Sequence, residues 1–105
     1  MKDLLGMMGK ARELQAKMQQ AQEEIAALRI EGKSGGGLVG ITLGGKGDLV
    51  AISIDPSLLK ADDKEMLEDL IVAAHNDARG RLEAATQEKM QAIAGGLGLP
   101  GIPGL

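Results

Sequence analysis

Near residue 27 the hydrophobic period of this chain changes from that of a helix to that of a strand, and this switch constrains the fold more than any other feature. Before it, Leu4, Ala11, Met18 and Ile25 recur every seven residues, and Met7, Leu14 and Ala21 do the same with an offset of three. A 3-4-3-4 spacing is a heptad seam on one long helix, residues 3 to about 26. Such a seam suits a coiled-coil partner or a second helix of the same chain, and the spacing alone leaves both open. After the switch, Leu28 and Ile30 alternate with Arg29, Glu31 and Lys33, as in a strand with one buried face.

Glycines then punctuate the chain. GGG precedes a second strand, Leu38 to Leu43, with Val39, Ile41 and Leu43 on one side. GGKGD precedes a third, Leu49 to Ile54, in which Val50, Ile52 and Ile54 share a face. Three short strands joined by glycine turns predict an antiparallel meander. Asp55-Pro56 closes it, because proline cannot donate to a ladder. ADDKEMLEDL opens a second helix, with Asp62 as cap and Glu65 completing a variant capping box. That helix is expected to run to about Ile93 with Leu67, Leu70, Ile71, Ala74, Ala78, Leu82 and Ala85 inward. GGLGLPGIPGL cannot continue it and is expected to be a disordered tail. The predicted class is α+β: a long N-terminal helix, a three-stranded antiparallel meander and a long C-terminal helix. Residues 1–94 form one domain in this reading and residues 95–105 a flexible Gly/Pro tail.

Composition sharpens the picture where it is unusual. The chain has no Phe, Tyr, Trp or Cys and 16 glycines in 105 residues. Its core must be built from Leu, Ile, Val, Ala and Met, and a small core of that kind gains from oligomerisation. Absence of Cys excludes disulfides, thiolate metal sites and cysteine nucleophiles. No apolar run is long enough for a signal peptide or a membrane span, which predicts a cytoplasmic protein without membrane contact. A net charge of −3 argues nothing for nucleic acid, so a polyanion site must come from local clustering.

GITLGGKG, residues Gly40 to Gly47, comes within one residue of the phosphate-binding pattern G-x-x-x-x-G-K-[ST]. Gly47 stands where Ser or Thr would hold Mg²⁺. The flanking pattern is strand on both sides, whereas a phosphate loop needs a helix after it. These glycines make a hairpin. His75 is the one histidine, and Asp77, two residues on, points elsewhere on a helix. The acids Asp62, Asp63, Glu65, Glu68 and Asp69 match a helix dipole better than a cation site. No catalytic set, metal site, cofactor or small-molecule substrate is expected.

Charge does cluster. The first helix carries Lys2, Lys10, Arg12 and Lys17, and the far half of the second carries Arg79, Arg81 and Lys89, while residues 61–77 are net −5. If the helices pack antiparallel, up to seven cations gather at one end and can contact phosphates without reading sequence. Against this, Glu13–Lys17 and Asp77–Arg81 are favourable i,i+4 pairs, and Arg79 and Arg81 lie about 200° apart on a helix. Lack of aromatics weighs against a reader of single strands or RNA.

Three segments carry a resemblance: MMGKARELQAKMQQAQEEIA, GKSGGGLVGITLGGKGDLVAISIDPSLL and DDKEMLEDLIVAAHNDA. Over nearly its full length the chain resembles the YbaB/EbfC family of small bacterial nucleoid-associated proteins. The resemblance implies a tweezer-like homodimer whose sheets associate while the helices project as arms. It implies binding to double-stranded DNA in the nucleoid with little sequence preference, with the arms as DNA-binding parts. The leading reading is a homodimer that bridges or compacts DNA and affects gene expression. Onto this chain it carries only the basic helix positions Lys2, Lys10, Arg12, Lys17, Arg79, Arg81 and Lys89. The competing reading is a protein–protein adaptor that uses the heptad face of the first helix or the apolar tail.

Overall fold

Residues 2–24 contain neither proline nor a β-branched residue and are rich in Leu, Met, Ala, Gln, Lys and Glu, which favour helix. In the computed structural model, which describes residues 2–96 and the side chains of residues 3–95, they form α1, Lys2–Ala26. The chain leaves α1 through a tightened last turn, Leu28 N–H donating to the Ile25 carbonyl at 3.0 Å. It then runs through β1 (Arg29–Ser34), β2 (Val39–Gly44) and β3 (Leu49–Ile54) into α2 (Lys64–Gly96). The strands make one antiparallel sheet in the order β1-β2-β3.

Both tight turns depend on glycine. Gly35, Gly36 and Gly37 all have positive φ, as does Gly47 at +87° in the β2–β3 turn, a region that L side chains rarely enter. Gly47 therefore serves a hairpin closed by Gly44 N–H to Asp48 O at 2.8 Å. The phosphate-loop pattern is a coincidence of turn chemistry.

Register decides which side chains are buried. Gly32 faces Ile41, and Val39 faces Ile54. A bulge after Thr42 sets Leu43 against Leu49 and leaves Val50 as an extra residue of β3. Val39, Ile41 and Leu43 are fully buried beneath α2, packed with Leu58, Ala74, Ala78 and Leu82. Leu67, Leu70 and Ile71 border this core, so the expected inward face of the second helix is borne out from Leu67 to Leu82, while Ala85 is half-buried outside the core. The small residues Ala74 and Ala78 lie over Gly32, where helix and sheet backbones come into direct contact. Two polar contacts tie the β1 edge to α2: Ser34 Oγ donates to the Leu70 carbonyl, and Lys33 N–H donates to Asp77 Oδ2 at 3.0 Å.

Several expectations are corrected. α2 starts at Lys64, after a 3-10 turn at Ala61–Asp63 in which Asp63 N–H bonds the Lys60 carbonyl. Backbone bonds tighten this entry, and no side-chain bond from Asp62 caps it among the described residues. α2 also continues past Ile93 to Gly96, since two glycines weaken a helix without stopping it. The remainder of the expected tail lies outside the described residues. β3 takes its expected place in the meander, and it is left uncovered because α2 crosses β1 and β2 only. Leu49, Val50 and Ile52 are 54%, 46% and 46% exposed.

The two helices are antiparallel, as Glu24 meets Lys89, while Lys17 and Ala21 share a cleft with Ala92 and Ile93. Ala21 is buried there. The seam of the C-terminal half of α1 thus packs within the chain. At 1.5 Å per residue, the N-terminal half of α1 outruns the described end of α2 by roughly 15–20 Å. The result is a rod of 74 × 23 × 15 Å.

Candidate nucleic-acid interface

The seven cations named from the sequence are spread along this rod. Lys2 begins α1, and its side chain lies outside the described set. Lys10 and Arg12 are exposed on the protruding half of α1, and neither has a carboxylate partner among the described residues. Lys17 sits lower, paired with Glu13 at 3.3 Å. Lys89 marks the helix crossing, paired with Glu24 at 3.6 Å. Arg79 and Arg81 lie beside the sheet, paired with Glu83 at 3.5 Å and Asp77 at 3.1 Å.

The cations therefore do not gather at one end. Antiparallel packing holds, but α1 overhangs α2. From Lys89 to Arg79 is ten residues of α2, and from Glu24 to Lys10 is fourteen of α1, about 15 Å and about 21 Å in opposite directions. Both i,i+4 pairs read from the sequence are present. Exposed pairs of this kind contribute little stability, but they occupy their cations. Lys10 and Arg12 are left with their charge uncommitted, on a helix that nothing described here flanks.

Asp77 accepts from the backbone of β1 as well as from Arg81. Its carboxyl is held below the usual carboxylate range, first by the Lys33 N–H and then by the Arg81 side chain. Arg81 is thus bound into the contact that joins α2 to the edge of β1.

One feature escaped the sequence reading. Lys46, at the tip of the β2–β3 turn, borders an open groove of about 790 Å³ together with His75, Arg79 and Glu83. Leu43, Leu82 and Met90 supply its apolar lining. The hairpin glycines were legible around Lys46, but nothing local showed that the turn would stand beside α2. Among the described residues there is no group of three or more acids and histidines arranged to hold a metal ion. Every buried side-chain nitrogen and oxygen described has a hydrogen-bond partner. No described helix is long and apolar enough to cross a membrane.

A sequence profile of the YbaB/EbfC DNA-binding family matches residues 1–97. The chain belongs to the YbaB/EbfC family. Among relatives, a nucleoid-associated protein of Agrobacterium fabrum is 57% identical over 105 residues, spanning 100% of this chain and 96% of its own. Another, from Brucella canis, is 58% identical over 100 residues, covering 95% of this chain and 94% of the relative. Among solved structures, the uncharacterized protein HP0035 from Helicobacter pylori superposes with a TM-score of 0.65 at 30% identity, covering 78% of this chain and 86% of that one. The helix–meander–helix architecture read from the periods is the one the present chain displays.

Proposed function

We propose that this chain is a nucleoid-associated protein that binds double-stranded DNA with little sequence preference. It acts as a homodimer in the bacterial nucleoid, and its two arms bridge or compact the duplex. The observation that carries the reading is the pair Lys10 and Arg12, exposed and without ion-pair partners among the described residues, on the part of α1 that projects from the body. Family membership and relatives named as nucleoid-associated support it. Flexible cations on a helix surface suit phosphates, which position a protein without reading bases. The exposed apolar strand β3 supports a dimer joined through the sheets, since an uncovered apolar edge is a template for pairing.

Fluorescence anisotropy of a labelled random duplex, titrated from about 50 to about 300 mM salt, tests the binding. With two such cations per arm and two arms, the log–log slope should be at least about −3.6 in a dimer, from 0.9 per neutralised phosphate. Absence of binding at the low-salt end overturns the DNA reading. Sedimentation at about 300 mM salt should give twice the chain mass, and a monomer across the whole concentration range overturns the dimer.

A further inference from the structure

The exposed face of α1, from its protruding end down to Met18, carries more than charge. Leu4, Met8, Ala11, Gln15 and Met18 fall on a stripe about 80° wide. Leu4, Met8 and Met18 are 58%, 48% and 41% exposed, and Ala11 and Met18 border a shallow concavity with Leu14 and Gln22. Lys10 and Arg12 stand on either side of the stripe. Phosphates gain nothing from such a surface, whereas a helix with exposed apolar residues and carboxylates does.

The chain itself displays that helix face. On the side of α2 opposite the core, Met66 and Val72 are 46% and 60% exposed, and by helical geometry they bracket Glu65 and Asp69. Neither acid has a cation partner among the described residues, although the neighbouring Glu68 is paired with Lys64. Residues 61–77 carry six acids and one lysine, net −5, and residues 2–18 carry four cations and two acids, net +2. One face has uncommitted cations around apolar residues, and the other has uncommitted carboxylates between apolar residues.

They cannot meet within one chain. Following α2 from Met66 to the Lys89–Glu24 crossing and then α1 out to Lys10 covers about 55 Å of a rod whose long axis is 74 Å. We infer that the apolar, basic face of α1 docks on the outer, acidic face of α2 in a second copy of this chain. With the two copies of a dimer already joined through their sheets, the contact falls between dimers, each of which offers two of either face, so it repeats from dimer to dimer. Each face is small, so a single contact is weak and sensitive to salt. The contact contains no nucleic acid and stands independently of the DNA reading. DNA competes with it, because Lys10 and Arg12 cannot serve phosphate and carboxylate at once.

The test is sedimentation velocity of the whole chain without DNA, from about 5 to about 500 µM protein at about 50 mM and about 300 mM salt. Mean mass should climb past the dimer at low salt and fall back at high salt. Glu65→Lys with Asp69→Lys should abolish the climb while leaving both the dimer and duplex binding in place. Lys10→Glu with Arg12→Glu should also abolish it, and mixing the two variants should restore association, because each supplies the face the other lacks. Val72→Asp should weaken assembly at least tenfold. A mass that never exceeds the dimer overturns the inference. So does an acidic-face variant that assembles like the native chain, or a mixture that stays dissociated while circular dichroism reports native helix content in both partners.

Discussion

Replacing Gly32 by alanine should do more damage than any other single-methyl addition within the strands. A Cβ at this position would lie 2.5 Å from the Ala74 carbonyl oxygen and 2.6 Å from Ala78 Cα, and would overlap the Ala78 backbone nitrogen. These are backbone atoms of α2, so no rotamer change relieves the overlap. α2 would have to lift from the sheet at the point where Val39, Ile41 and Leu43 meet Ala74, Ala78 and Leu82. Overpacking typically costs 1–3 kcal/mol, and with backbone on the opposing side the expected loss is about 3 kcal/mol or more. For a domain of this size that lowers Tm by roughly 12 °C or more. Far-UV circular dichroism is the assay, since no aromatic residue reports on tertiary structure, and protein concentration must be matched because association raises apparent stability. Gly80→Ala is the control. It lies within α2 with nothing within 4 Å of the added Cβ, so it should stabilise by about 0.5–1 kcal/mol. A Gly32→Ala protein melting within about 3 °C of the native chain would refute the close-approach reasoning.

Ile41→Ala, at a site only 2% exposed in the middle of β2, should cost about 2–5 kcal/mol by denaturant unfolding with little change in m-value. Lys10→Glu with Arg12→Glu should weaken duplex binding and reduce the salt slope by about 1.8 per arm, whereas Arg81→Gln, whose side chain is committed to Asp77, should leave the slope unchanged. The Asp77 carboxyl sits below its ordinary value of 3.8, so its contribution to stability is complete above that value and is lost as pH falls through the lowered native one. Asp77→Asn should therefore lower Tm at neutral pH, and the gap to the native protein should close below pH 3.8. A gap that stays constant down to pH 2 would show that the Lys33–Asp77 contact does not depend on the charge.

Helix, meander and helix were legible because period and turn chemistry are local. The heptad spacing from Leu4 to Ile25, the alternation around Ile41 and Ile52, and the glycines at 35–37 and 47 each act through a few neighbouring residues. The i,i+4 pairs Glu13–Lys17 and Asp77–Arg81 were legible for the same reason. Where these elements came to rest against each other was not. Nothing in the sequence around Gly32 or Gly45 says that α2 will lie against the first or that Ile25 will lie against the second. Both glycines read equally well as turn or bulge residues.

The candidate site divides along the same line. Sequence alone determined which residues are cationic and which of them have acids one helical turn away. Tertiary structure decided which are available, since the antiparallel register joined Lys89 to Glu24 and carried Lys10 and Arg12 beyond the described end of α2. It also left β3 uncovered, by laying α2 across β1 and β2 alone. Propensity and period act over a few residues, whereas register between α1 and α2 is set by contacts between segments some sixty residues apart. A charge gains its role from that register, because only there does an acid either meet it or leave it free.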